Sequence, residues 1–278
     1  WLKLTGGAPS FSGKDSLCHI LWLKNNYPDL YRKTYKFLEP KDYINLRFTG
    51  KFAATYDSIL LHWVTDNRNL SQVVYSDRLL KMTGLDRSKL PDLIQSMDIL
   101  GPVKKEIAAD LGLKEGTPVI GGTPDVASAG VGSGAVRDYE GHFYIGTSSR
   151  ISAHVPFKKT DLAHNFGSFP SPIPGHYQIL TEQECAGKCL TWIRDNVLYH
   201  KDELMQEENA PDIFKVLDKI VSRVPAGSNN VIFTPWLYGE RSPVDDCHIR
   251  ASLFNVSLEN TREDILRAIF EGVAFNAK

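Results

Sequence analysis

Hydrophobic spacing divides this chain into two textures. From residue 12 to residue 112 the apolar positions follow mostly helical intervals. SGKDSLCHILWLKNN carries Leu17, Ile20, Leu21 and Leu23 at near-helical spacing, with Ser12 in the place of an N-cap. PDLYRKTYKFLEPKDYINLRFTG predicts one or two further helices ended by Gly50. SDRLLKMTGL and GPVKKEIAADLGL read as short helices stopped by glycines. Beyond residue 112 strand patterns enter. PVIGG is a short strand running into a turn, and PDVASAGVGSG opens a helix with Pro124 suited to its first turn. HFYIGTSSRISAHV predicts two strands around a Gly-Thr-Ser-Ser turn. EQECAGKCLTWIRDNVL reads as a helix with a glycine near its start, and NNVIFTPWLYGERSPVDD as a strand feeding a long polar loop. TREDILRAIFEGVAFNAK is an amphipathic helix. The change from helix-rich to alternating strand and helix places a domain boundary near 134–141, at the glycine-flanked polar stretch SGAVRDYEG.

With 278 residues, 42% of them hydrophobic, the chain can bury one large core or two ordinary ones. The formal charge of -1, from 32 basic and 33 acidic residues, argues against a nucleic-acid partner or an anionic membrane surface. No apolar run approaches the ~20 residues that span a bilayer. WLKLTGG at the start lacks the charged and apolar regions of a signal peptide. Cys18, Cys185, Cys189 and Cys247 form no CxxC pair, so the expectation is a soluble, reduced, cytoplasmic protein. Trp1 in place of Met suggests a piece of something longer.

Four segments carry candidate chemistry. In VIGGTPDVASAGVGSGAVRD, Asp125 follows a glycine turn and precedes a run of small residues. An acid in the first turn of a helix faces free N–H groups and the positive end of the helix dipole, which suffices to explain it. The second reading makes Asp125 a proton acceptor at the lip of a cleft, with the small residues allowing close approach of another element. In YIGTSSR, Gly146, Thr147 and Ser148 would expose backbone N–H groups and hydroxyls together, as phosphate-binding concavities do, or form an ordinary hairpin. ECAGKCLTWIRD puts Gly187 and Lys188 at a helix N-terminus, which can receive an anion or end in a solvated lysine. PWLYGERSPVDD is either a functional loop or a surface loop pinned by Pro235 and Pro243. The eight histidines show no ligand spacing, and no metal-ligating residues are expected.

The order of these pieces is more specific than any one of them. GGxxD, then GTS, then AGxxxxWxRD, then the GERxP loop and DILRAIFEGVAF together resemble the FGGY family of carbohydrate kinases, most closely its xylulokinase-like members. The DY-x-x-x-R-x-TG stretch and Asp57 after it resemble the family's first domain. The resemblance implies an α/β protein of the actin/hexokinase-like (ribonuclease H-like) two-domain ATPase fold, partial here. Residues 1–134 would be the latter part of the sugar-binding N-terminal domain, and 135–278 the first part of the nucleotide-binding C-terminal domain. The family's first Asp-x-Gly-Thr phosphate loop, its magnesium-holding acid and its glycine-rich adenosine segment have no counterpart in the sequence, so a central fragment, inactive alone, is expected.

By the same resemblance, the activity is transfer of the γ-phosphoryl group of ATP, with Mg2+, to a sugar or polyol hydroxyl. Asp125 takes the role of general base and touches the substrate. Gly146, Thr147, Ser148 and Gly187 take ATP contacts. Ser10 and Phe11 fall near family sugar contacts. The implied partner is a small sugar, with a homodimer left open as the assembly. Val126 stands where the family often has Asn or Gln, and Ala251 and Asn255 replace glycines, which keeps a catalytically silent sugar- or partner-binding protein as the alternative.

Overall fold

The computed structural model describes residues 1–9, 13–200 and 212–278. Its contacts divide the chain into two compact units. The first takes Trp1–His142, Ser152–Thr160 and Gly167–Leu180, and the second Phe143–Ile151, Asp161–Phe166 and Thr181–Lys278.

In the first unit, α1 (Leu2–Thr5), α2 (Ser16–Asn26), α3 (Pro28–Lys33) and α4 (Pro40–Thr49) follow one another. Proline opens both α3 and α4, where its missing N–H costs nothing, and Gly50 closes α4 at φ 78°. α2 begins later than the expected cap. Asp15 holds its N-cap position, because Gly13 lies at φ 72°, outside helical backbone, and Ser12 is outside the described residues. Short strands then break the expected run of helices: β1 (Ala53–Thr55), β2 (Thr65–Asp66) and β3 (Val74–Tyr75). After α5 (Asp77–Thr83), capped by the Ser76 side chain, come β4 (Asp92–Ile94) and β5 (Ile99–Pro102). β1 pairs in parallel with β4, and β2 pairs antiparallel with β3. β1 is buried at every position, so it leaves no alternation for a sequence pattern to detect. α6 (Lys105–Leu111) ends at Gly112, β6 (Pro118–Ile120) pairs antiparallel with β5, and α7 (Asp125–Gly132) follows as the pattern predicts. Leu17, Ile20, Tyr31, Val64, Leu79 and Leu90 lie at the heart of the apolar core.

The strands β7 (Gly141–Ile145), β8 (Ser149–Val155), β9 (Gly167–Pro170) and β10 (Tyr177–Gln183) form a sheet in the order β7-β8-β10-β9. The strand–turn–strand expected around Gly-Thr-Ser-Ser is β7 and β8.

In the second unit, α8 (Gly187–Ile193) continues into a π-helical turn at Arg194–Leu198. α9 (Phe214–Val221), β11 (Ile232–Thr234), β12 (Ser252–Phe254) and α10 (Arg262–Ala277) complete it. β12 forms within ASLFNVSL and pairs antiparallel with β11. A capping box of Thr261 and Asp264 starts α10, which turns Leu266, Ile269 and Val273 inward onto Cys189, Leu217 and Phe233. Gly272 makes that packing possible: a Cβ there would lie 2.3 Å from the Phe233 carbonyl oxygen. Among the described residues no helix is long and apolar enough to cross a membrane.

Candidate active site

Asp125 is the first residue of α7, exposed, with no side-chain hydrogen bond among the described residues. Pro124 precedes it at φ -63° in the N-cap position, where it offers no N–H. The glycine turn before it is held from several sides. Gly121 donates its N–H to the Asp98 carbonyl at 2.9 Å, and Gly122 donates to the Ser96 carbonyl at 2.8 Å. The Gly121 carbonyl accepts from Lys41 Nζ at 2.8 Å and from Asn45 Nδ2 at 2.7 Å, both on α4. A Cβ on Gly121 would sit 2.6 Å from Thr55 Cγ2 and 2.9 Å from the Gln95 carbonyl oxygen, so only glycine fits. Gly122, at φ 72°, turns the chain toward α7.

Beneath the turn lies a buried carboxylate pair. Asp57, 8% exposed, accepts from three hydroxyls: Thr55 at 2.5 Å and Ser96 at 2.9 Å on Oδ1, and Thr123 on Oδ2. Asp42 accepts from Lys41 Nζ at 2.5 Å and Ser58 Oγ at 2.6 Å. Burial pushes the Asp42 carboxyl up, against those two bonds, and the nearby Asp57 charge adds to the rise. The sequence singled out Asp57 as a family-like acid but gave no sign of Lys41, Asn45 or Thr123. Their common types become informative only when the fold brings α4 and residues 121–123 together.

The Gly-Thr-Ser turn belongs to the second unit. Gly146 donates its N–H to the Ser148 carbonyl at 2.8 Å. Thr147 and Ser148 are exposed, and their N–H groups and hydroxyls have no hydrogen-bond partner among the described residues. Unsatisfied donors of this kind suit phosphate oxygens. The start of α8 is used differently from a free anion site. Gly187 donates its N–H to the Gly146 carbonyl at 2.8 Å, and Ala186 and Lys188 donate to the Thr147 carbonyl at 3.0 and 3.2 Å. Those amides hold the turn and are not open to a ligand. Gly187 permits the approach, since a Cβ there would fall 2.6 Å from the Gly146 carbonyl oxygen.

The polar loop after β11 proves to be a brace. Arg241 pairs with Glu182 at 2.7 Å and with Glu184, while Arg150 meets the other Glu182 oxygen at 3.1 Å. Glu240, buried, accepts the N–H groups of Glu184 at 2.7 Å and Arg241 at 2.8 Å, and Asn276 Nδ2 of α10 at 2.7 Å. Ser149, the first residue after the turn, donates to Gln183. Ser10 and Phe11 lie outside the described residues. Val126, beside Asp125, is half-buried.

Among the described residues no group of three or more His, Cys, Asp or Glu side chains could hold a metal ion.

The braced glycine turn with its exposed acid lies in the first unit, and the open Gly-Thr-Ser turn backed by a helix start lies in the second, both within an α/β protein. The chain belongs to the FGGY family of carbohydrate kinases: residues 6–132 match its N-terminal domain and residues 142–278 its C-terminal domain. It is 29% identical over 265 residues to a xylulose kinase of Bacillus subtilis (strain 168), covering 94% of this chain and 50% of that protein. It is 28% identical over 260 residues to a gluconokinase of the same organism, again covering 94% of this chain and 50% of the relative. Among solved structures it is similar to ligand-bound xylulose kinase from Lactobacillus acidophilus, with a TM-score of 0.75 and 26% identity over 95% of this chain and 51% of that one. The fold is therefore of the actin/hexokinase type expected, and the chain spans about half the length of the curated relatives it matches.

Proposed function

We propose that the protein works in ATP-dependent phosphorylation of a sugar or polyol hydroxyl, of the xylulose-like pentulose class or a related carbohydrate. The observation that carries this reading is Asp125: an exposed carboxylate without a partner among the described residues, following a turn tied down at Gly121, Gly122 and Thr123. In the reaction, Asp125 orients the sugar hydroxyl and accepts its proton as the oxygen attacks the γ-phosphorus and the bond from that phosphorus to the bridging oxygen breaks, with ADP leaving. Thr147 and Ser148 offer N–H and hydroxyl donors to phosphate oxygens, Gly146 shapes their turn, and Gly187 holds it. Mg2+ bound with ATP would supply neutralisation of phosphate charge. Phosphoryl transfer depends mainly on such positioning and charge stabilisation.

On this reading residues 1–134 serve the sugar side and residues 135–278 the nucleotide side, in a cytoplasmic enzyme. Asp125→Asn in the whole protein tests it, with ADP release followed over a panel of pentuloses, gluconate and glycerol. Loss of a general base lowers turnover by ~10²–10⁴-fold, while calorimetric ATP binding persists. Turnover within a few-fold of wild type would falsify the assignment of Asp125. Sugar binding without any turnover in the unaltered protein would instead select the silent binding protein.

A further inference from the structure

Among the described residues the Asp125 side chain has no tether of its own, so something else must fix where its carboxylate stands. α7 meets the rest of its unit through small side chains: Ala127 and Gly130 are its buried positions. A Cβ at Gly130 would still be 3.8 Å from His154 Nε2 and 3.9 Å from Gln178 Nε2. That face carries no large side chain, and the far end of α7 is held where His142 Nδ1 lies 2.9 Å from Ser133 Oγ, a turn and more away from Asp125. The placement must come from the loop that leads into it.

The last tether before Asp125 is the Thr123 hydroxyl. Gly121 and Gly122 are tied through their N–H groups, but Pro124 has none to give. Between them, Thr123 donates to Asp57 Oδ2. Asp57 is in turn gripped on Oδ1 by Thr55 and Ser96. Ser96 acts twice, since its carbonyl receives the Gly122 N–H while its hydroxyl goes to Asp57. The two grips on the loop thus converge on one rigid point. From the helix side, Ser128 Oγ donates to the Thr123 carbonyl at 3.2 Å, so the first turn of α7 is tied to the same residue.

We propose that Thr123 and Asp57 are positioning residues for Asp125: the hydroxyl–carboxylate contact sets the height and direction of the base at the start of α7. The inference rests on the assignment of Asp125 given above. It predicts that removing the Thr123 hydroxyl leaves the acid present but misaimed. Small displacements of a reacting group can lower rate by ~10²-fold.

The test is a double-mutant cycle on the whole protein, reading kcat and the KM values for ATP and sugar separately. Thr123→Val keeps shape and removes the donor. It is expected to lower kcat by ~10–100-fold with the KM for ATP unchanged, and Thr123→Ser restores it. In the Asp125→Asn background the same Thr123→Val is expected to change kcat by less than about two-fold, because the group it aims is gone. Equal losses in both backgrounds would show a general structural role and overturn the proposal. So would a Thr123→Val enzyme as fast as wild type, or a Thr123→Ser enzyme as slow as the valine variant. If Asp125→Asn alone keeps its turnover, the assignment of the base has failed and the proposal falls with it, a result readable from the single variant. Asp57→Asn, which retains one acceptor oxygen, provides a second measurement and is expected to fall between wild type and Thr123→Val.

Discussion

The Gly187 N–H donates to the Gly146 carbonyl at 2.8 Å, and the two glycines meet with no side chain between them. A helix start and a turn are joined here through main chain alone. Gly187→Ala puts a methyl group 2.6 Å from the Gly146 oxygen, so the turn must move. The expected cost is ~1–3 kcal/mol of stability from overpacking, with at least ten-fold weaker ATP binding if the displaced donors serve phosphate, about 1.4 kcal/mol. Thermal unfolding beside an ATP titration separates the two effects. Unchanged nucleotide binding in a folded variant would remove Gly187 and the turn from the nucleotide site.

Gly121→Ala tests the other glycine contact. Thr55 Cγ2 at 2.6 Å and the Gln95 carbonyl oxygen at 2.9 Å leave no room for a methyl group. Stability should fall by ~1–3 kcal/mol, and turnover should fall further than that loss explains, because residues 121–125 shift together. Measuring kcat well below the unfolding temperature checks the second half. A variant that loses stability but keeps kcat would show that the turn tolerates displacement.

Acid should weaken the first unit through His62. This imidazole is 1% exposed and burial lowers it to about 4 from the ordinary 6.5. Its folded pKa is depressed, so the unfolded chain binds the proton first. Stability is full above about 6.5, falls as pH drops toward 4, and is level below that. The expected loss across this window is about 3 kcal/mol. Glu39, whose Oε1 is 3.4 Å from His62 Nδ1, is raised by burial and acts in the opposite sense, because its folded form takes up a proton first. Ser16 and His19 also face Glu39 and hold its rise down. Urea unfolding at stepped pH, with His62→Gln as the reference, isolates the histidine. Parallel curves for the two proteins would exclude it.

β7 ends its sheet and shows Phe143, Tyr144 and Ile145 at 40, 51 and 58% exposure. A free strand edge carrying exposed apolar side chains recruits another chain. The 278-residue chain by itself is expected to associate as its concentration rises, and Tyr144→Lys should reverse this. Sedimentation velocity reads both. A monomer at every concentration tested would show the edge is inert.

Which parts of this were legible beforehand follows from how local their causes are. The strand–glycine–acid passage into α7, the turn between β7 and β8, and the face of α10 each depend on residues close in sequence, and each forms as the pattern predicts. α2 starts at Ser16, beyond the expected cap at Ser12, because Gly13 takes a backbone angle that no helix allows. β1 to β5 leave no mark in the sequence pattern because two to four residues are too few to carry a period. The site divides the same way. Asp125 and Thr147 stand in recognisable strings, whereas Lys41 and Asn45 reach Gly121 across about eighty positions of chain, a separation at which no local rule operates. The sequence leaves the helix start at Gly187 as either an anion site or a plain start with a solvated lysine, and its amides are taken by the turn, a tertiary contact that spacing cannot report.

The carboxylate of Asp57 is balanced by hydroxyls, with no cation paired to it among the described residues, and it is buried. Arg241, braced between Glu182 and Glu184, is 38% exposed. Mobile ions screen charges they can approach and leave buried dipoles alone. The two braces therefore differ in ionic character. Hydrogen exchange at low and high salt would follow them separately: added electrolyte is expected to relax the arginine brace behind the Gly-Thr-Ser turn more than the hydroxyl contacts that surround Asp57.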